Sequence, residues 1–251
     1  MKVVAIIQAR MGSSRLPGKV LRTILGKPML WHLVSRVQRA KCIHDVVIAT
    51  TTNKEDDQME EFAADKGLRV YRGSENDIVD RFLNAAREND ADIIVRVWGD
   101  CPLIDPELID EIMPEFISGG YDYANNFNPP TYPVGMNFEV YSLQALERIW
   151  NETNEIFYRQ YPFEYVCANI ASFRTMFKRN AKDLSEINLT VDYAQDLDLV
   201  TEIYKHLFSE DETFHLEDIL KLIERRPSLK DMNKGLPRNT EYDRDRKLRG
   251  G

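Results

Sequence analysis

Three cations near the start of the chain, Arg10, Arg15 and Lys19, are interleaved with Gly12, Ser13, Ser14 and Gly18. Glycines let backbone N–H groups come close to a ligand, hydroxyls and the Gln8 amide add neutral donors, and the cations balance several negative charges held together. A polyphosphate needs all three, although a basic loop on an acidic chain also fits an ordinary solvated surface. Asp100, in Gly99-Asp100-Cys101-Pro102-Leu103, adds a carboxylate just past an apolar run. A glycine before it gives room, a proline after it fixes the turn, and the position suits Mg²⁺ held beside phosphates. The structural alternative, a helix-initiating turn, is better served by Asp105-Pro106-Glu107. Asp192 closes another apolar run and is either the cap of the helix that follows or a second metal ligand. If its strand neighbours that of Asp100, two carboxylates converge on one cation.

The elements that must position these groups alternate. The β-branched run at 3–7 reads as a strand buried on both faces, and the cationic loop leaves its carboxyl end, where open parallel sheets bind ligands. A helix with Pro28 in its first turn runs to about residue 41, and strand 45–51 follows. A helix carrying Met59, Phe62 and Ala63 stops at Lys66-Gly67, before strand 68–71, helix 78–88 and the central strand 92–98. This βαβαβ order implies a parallel sheet with right-handed crossovers. The texture then changes to a polar, proline-containing stretch. A strand at 136–141 puts Asn137, Glu139 and Tyr141 on one face, and an antiparallel or edge insertion is expected there. Helices are expected at 142–151, 158–168, 194–208 and 216–225, with strands at 171–178 and 187–191. Residues 1–228 read as one domain with a small inserted lobe at about 121–180, and 229–251 as a charged tail, extended or mobile.

Composition narrows the function. A 251-residue chain with 43% hydrophobic and 29% charged residues can bury a full core, and its net charge of −8 argues against nucleic acid and anionic membranes as partners. Three scattered cysteines fit a reducing cytoplasm, no apolar run is long enough to span a bilayer, and the four histidines form no metal-binding pair. Neither GxxxxGK[ST] nor GxGxxG follows the first strand.

The block Gln8-Ala9-Arg10-Met11-Gly12-Ser13-Ser14-Arg15-Leu16-Pro17-Gly18-Lys19, with Gly26-Lys27-Pro28-Met29-Leu30, Gly99-Asp100-Cys101-Pro102-Leu103-Ile104 and Thr190-Val191-Asp192, resembles the cytidylyltransferases that activate acidic sugars. The nearest branch is the spore-coat-polysaccharide-type cytidylyltransferase family, related to the enzymes that make CMP-Kdo and CMP-sialate. The resemblance implies an α/β, Rossmann-like nucleotidyltransferase fold: a three-layer sandwich with a mainly parallel sheet. It further implies CTP and Mg²⁺ as ligands, a small acidic acceptor, and a cytoplasmic homodimer. Carried over by position, Gln8, Ala9, Arg10, Gly12, Ser13 and Gly99 line the nucleotide, with Arg15 and Lys19 on the triphosphate. Arg72, Asp80 and Arg81 fall near base or ribose, and Asp100 and Asp192 hold magnesium; Arg10, Arg15, Lys19 and Asp100 are the catalytic set.

Departures lie in the acceptor half. Relatives with DG-LD-VEVF contrast with Val134-Gly135-Met136-Asn137-Phe138-Glu139-Val140-Tyr141 here, and an arginine-glutamate-histidine triplet becomes Arg159-Gln160-Tyr161. Asn137, Glu139 and Arg159 are the acceptor-side candidates, and the acceptor itself stays open, including a phosphonate. A related-fold glycosyltransferase would need an Asp-x-Asp at the carboxyl end of a strand, whereas Asp90-Ala91-Asp92 precedes one. A non-catalytic nucleotide-binding protein is the other alternative, and the retained cations and aspartates argue against it.

Overall fold

The apolar run at the amino end forms β1 (Val3–Gln8), the centre of a three-layer sandwich in the computed structural model, which describes residues 1–209, 213–238 and 240–250. Its alternate residues feed two cores. Val3, Ala5 and Ile7 face one helical layer, while Val4 and Ile6 face the other. A strand covered on both faces has no polar face to alternate with, which accounts for the unbroken β-branched run.

A short ribbon, β2 (Thr23–Ile24) with β3 (Lys27–Pro28), leads into α1 (Met29–Val37). The parallel half continues with β4 (Asp45–Thr51), α2 (Asp57–Lys66), β5 (Arg69–Gly73), α3 (Ile78–Glu88) and β6 (Ile93–Trp98). Gly67 takes the left-handed conformation (φ 64°) that ends α2, and Asp105, accepting from the Glu107 N–H, caps α4 (Pro106–Gly119). The second half supplies β7 (Tyr123–Asn125), β8 (Glu139–Ser142), α5 (Leu143–Glu152), α6 (Ile156–Gln160), α7 (Pro162–Ala168) and β9 (Thr175–Phe177). Then come α8 (Ala194–Leu207), α9 (Leu216–Arg225) and α10 (Thr240–Gly250).

The seven-stranded sheet runs β5-β4-β1-β6-β8-β7-β9 and is parallel except at β8, which is antiparallel to both neighbours. Among the described residues no helix is long and apolar enough to cross a membrane.

Four expectations change. Residues 121–180, expected as an inserted lobe, contribute β7, β8 and β9 to the main sheet; of the two forms expected for β8, antiparallel or edge, it takes the antiparallel one, inside the sheet. The expected helix at 158–168 is two helices, because Pro162 has no N–H and disfavours the helical conformation at Tyr161. The expected strand at 187–191 is not one. Its only bridge is Val134 to Asn188, and the Val191 N–H turns to the Asp100 carbonyl (2.9 Å) instead of a sheet neighbour. Gly135 makes that crossing feasible: it lies at φ +103°, and a Cβ there would stand 2.7 Å from the Leu189 carbonyl carbon. Finally, the tail at 229–251, expected to be extended or mobile, is helical over Thr240–Gly250.

Candidate active site

Parallel pairing of β1 with β6 sets Gln8 opposite Trp98, so the two chains leave the sheet side by side. The Gly99 N–H donates to the Gln8 carbonyl (2.8 Å), and Asp100 follows at the mouth of the sheet. A Cβ at Gly99 would lie 2.7 Å from the Gln8 oxygen and 3.1 Å from the buried Ala9 Cβ, so only glycine allows the two exits to touch. Gly99→Ala is therefore expected to lose about 1–3 kcal/mol of stability by overpacking and to displace Asp100; denaturant unfolding and turnover would both report it.

The loop after β1 is held from below by Asp56, whose fully buried carboxylate accepts from the Met11 N–H (2.6 Å), the Thr51 N–H (3.1 Å) and the Thr51 hydroxyl. Gly12 and Ser13, both half-buried, follow Met11 in this loop. Left-handed Gly18 (φ 66°) then turns Lys19 inward. The Lys19 Nζ donates to Asp100 Oδ2 (3.0 Å), Asp192 Oδ1 (2.9 Å) and the Val191 carbonyl (2.7 Å), and Arg15 Nη2 donates to the same Asp192 oxygen (2.8 Å). Burial pulls the Lys19 pKa down, but Asp100 and Asp192 outweigh it and the net direction is up. Two carboxylates thus converge on one cationic point. A divalent ion suits that donor set.

Asp192 is held by its neighbours. The buried Asp196 accepts from the Asp192 N–H (3.0 Å) and the Tyr193 N–H (2.9 Å), so the cap of α8 is Asp196 reaching back, and the Asp192 side chain stays available for the cation. Burial raises the Asp196 pKa, but Arg238 and these N–H groups hold it below its ordinary value.

A cavity of ≈ 1070 Å³ opens from this point; Gln8, Arg10, Arg81, Asp100, Asn137 and Asp192 lie in its walls. Its floor is a buried polar chain: Arg96 donates to Gln8 Oε1 (2.9 Å) and Glu139 Oε2 (2.7 Å), and the Tyr123 and Tyr141 hydroxyls donate to Glu139 Oε1 (2.8 and 2.7 Å). The Glu139 oxygens, expected to face an acceptor, are therefore occupied by the protein, and Glu139 acts by orienting Arg96. Arg81 is buried, donates to the Ser74 carbonyl (2.7 Å), and leaves its Nε without a partner. Burial first, then Arg96 and Arg10, lowers its pKa to about 10. Arg10 pairs with Glu75 at the rim.

Arg72, Asp80 and Arg159 are among the expected site residues that do not line the cavity. Arg72 pins the start of α2 through Asp57 (2.7 Å), Glu60 (2.8 Å) and the Thr51 carbonyl (2.9 Å). Asp80 accepts from the Trp150 indole (3.1 Å). Arg159 ties α6 to the Thr153 (2.7 Å) and Trp150 (2.8 Å) carbonyls and to Asp77 (3.2 Å). All three guanidinium or carboxylate groups are committed to neighbouring elements. Sequence reasoning missed Arg96, Asp196 and Arg238. Arg96 carries a usable signal, since a charge inside an apolar strand must find a buried partner; the other two depend on chain segments distant in sequence.

Other acidic groups do not compete with the Asp100–Asp192 pair. Asp92 accepts from the Lys2 N–H (2.7 Å) at the opposite edge of the sheet. Asp105, Glu107 and His215 place ligand atoms within 4.8 Å of one another, but Asp105 is engaged by the Leu216 N–H (2.7 Å) and His215 Nδ1 (2.9 Å) as a structural cap. Burial, then Asp100, pushes the Cys101 thiol well up.

A largely parallel sheet, a cationic loop after its first strand and two facing aspartates define a nucleotidyltransferase. The chain belongs to the cytidylyltransferase family, whose sequence profile matches residues 4–233. It is 31% identical over 237 residues to the spore coat polysaccharide biosynthesis protein SpsF of Bacillus subtilis (strain 168), covering 90% of this chain and 95% of that protein. A cytidylyltransferase from Leptospira borgpetersenii serovar Hardjo-bovis superposes with a TM-score of 0.88 at 33% identity, over 94% of this chain and 99% of the other. A CMP:2-keto-3-deoxy-manno-octonic acid synthetase solved with CTP shares the fold, at TM-score 0.61 and 21% identity over 82% of this chain and 99% of that one.

Proposed function

We propose that this protein transfers CMP from CTP to an acidic sugar, a 2-keto sugar acid or close relative, with release of pyrophosphate and dependence on Mg²⁺. The observation that carries the reading is the meeting of Lys19 with Asp100 and Asp192 at the mouth of β1 and β6. On this reading residues 1–228 are one catalytic domain that works as a homodimer in the cytoplasm. The sugar assignment is supported by the polysaccharide role in the name of the Bacillus relative and by the acid sugar in the name of the CTP-bound fold neighbour.

Gln8, Ala9, Arg10, Gly12, Ser13, Arg81 and Gly99 are proposed to surround the nucleotide, while Arg15 and Lys19 engage the triphosphate. Asp100 and Asp192 hold the magnesium, which when bound would supply charge neutralisation at the phosphates. An acceptor hydroxyl oxygen attacks the α-phosphorus; the new P–O bond forms as the bond to the bridging oxygen breaks, pyrophosphate leaves with that electron pair, and the hydroxyl proton passes to solvent. Such in-line displacement needs positioning and charge balance rather than a nucleophilic side chain. Lys19 and Arg15 release their carboxylates to take the charge building on the leaving group, a role preorganised cations perform well in a water-poor site. Asn137 faces the acceptor, and Arg96, oriented by Glu139, sets the floor beneath it.

The test is pyrophosphate release with each of four NTPs against sialate-like, Kdo-like and phosphonate acceptors, with Mg²⁺ or with a chelator. Turnover only with CTP, metal and an acid sugar is expected. Equal use of all NTPs, full activity in chelator, or turnover with the phosphonate alone would contradict the assignment.

A further inference from the structure

The family match ends at residue 233, yet the chain beyond it crosses the cavity. At the nucleotide end, the Arg238 guanidinium donates to both oxygens of buried Asp196 (2.9 and 2.7 Å), and the Thr240 hydroxyl accepts from Arg15 (3.4 Å). At the far end α10 lies on α6 and α7. The Tyr242 hydroxyl donates to Glu164, its ring meets Tyr161 edge-on at 5.2 Å, and the Tyr161 hydroxyl donates to Asp245 (3.1 Å). Arg249 stacks on the Tyr158 ring at 4.0 Å and donates to its hydroxyl. Fixed at both ends, the segment turns Tyr242 and Arg244 toward the cavity.

The charge pattern sets Arg244 apart from three other arginines of the cavity. Arg10, Arg96 and Arg238 are each bound to a glutamate or aspartate of another element. Among the described residues Arg244 pairs only with its sequence neighbour Asp245 (3.0 Å), and its side chain is 67% exposed. An exposed pair of this kind is worth little, so an incoming carboxylate can take over the guanidinium at small cost. Neutral groups, Asn137, Gln160, Phe127 and Phe163, line the same cavity.

We propose that residues 234–238 and 240–250 form the acceptor-side wall of the cavity, with Arg244 and Tyr242 as specificity-determining residues that contact the carboxylate and hydroxyls of an anionic sugar acceptor. The inference rests on the cytidylyl-transfer reading for the identity of the ligand, but not for the position of the wall. The wall is tested by hydrogen exchange on the full chain. Amides of 244–250 should exchange at least about tenfold more slowly than in a free chain, and Glu164→Gln, which weakens the Tyr242 contact, should remove much of that protection. Free-chain exchange in the unaltered protein would overturn it. The acceptor contact is tested with the acid sugar that gives most pyrophosphate. Arg244→Leu should raise KM for that sugar by about tenfold, the loss of one charge-assisted bond, leave KM for CTP unchanged, and be largely rescued by Arg244→Lys. Equal effects on both KM values, or none, would overturn the role of Arg244. If the unaltered protein releases no pyrophosphate with any acid sugar, the transfer reading falls, and the wall stands or falls on exchange alone.

Discussion

Lys19→Met is expected to lower turnover by about a thousandfold, the upper range for loss of one preorganised donor to developing charge. Its Nζ alone touches both Asp100 and Asp192. Methionine keeps the length and apolar stem of the side chain and removes only the charge. The two carboxylates then face each other with Arg15 as the remaining cation. Without metal the variant should melt below the unaltered protein, and Mg²⁺ should raise its Tm more than that of the unaltered protein, because the ion no longer competes with the ammonium. The pH dependence has a definite sign. The folded pKa of Lys19 lies above its ordinary 10.5, so its contribution to stability is complete below that value and is lost as pH rises through the folded pKa. Alkaline destabilisation should therefore be weaker in Lys19→Met. Turnover within tenfold of normal would remove Lys19 from the site.

Glu139→Leu is expected to cost about 3–5 kcal/mol of stability, the usual cost of removing one partner of a buried ion pair. Arg96 and Glu139 are almost completely enclosed, and leucine would leave the Arg96 guanidinium with Gln8 as its remaining side-chain partner while two tyrosine hydroxyls lose their acceptor. The double variant Arg96→Met/Glu139→Leu should recover part of that loss, because it removes the stranded charge as well. Chemical denaturation at neutral pH measures both. A single-variant loss below 1 kcal/mol would show that the Arg96–Glu139 pair is not buried in solution.

The half proposed to hold the nucleotide was legible in the sequence, as strands and their exits, for a physical reason. Val3–Gln8, Asp45–Thr51 and Ile93–Trp98 are strands covered on both faces, and their apolar runs end where the chain leaves the sheet. The residues that follow them, Arg10, Lys19 and Asp100, could thus be placed at one edge from local pattern alone. Asp192 was legible as a residue but not as geometry. It reaches Asp100 through one backbone bond and a glycine crossing rather than through a strand pair, and neither leaves a periodic trace.

The rest of the expected site, on the base, ribose and acceptor sides, was less legible because its contacts are long-range. Arg72, Asp80 and Arg159 have residue types suited to ligand binding, yet each is consumed by neighbouring elements, and no local signal separates a free guanidinium from one that staples two helices. The highly polar sequence at 240–250 resembles a solvated tail. Its helix depends on Tyr242, Asp245 and Arg249 meeting aromatic and acidic groups of α6 and α7.

The convergence of Asp100 and Asp192 on one cation is tested most directly by pyrophosphate release from CTP and Mg²⁺ by Asp100→Asn, beside the unaltered protein and the same acid-sugar acceptor. Asparagine keeps the shape and removes the charge. Turnover is expected to fall by about a thousandfold or more with an unchanged circular dichroism spectrum. Near-normal turnover in that variant would contradict the assignment of Asp100 to the metal and to the reaction.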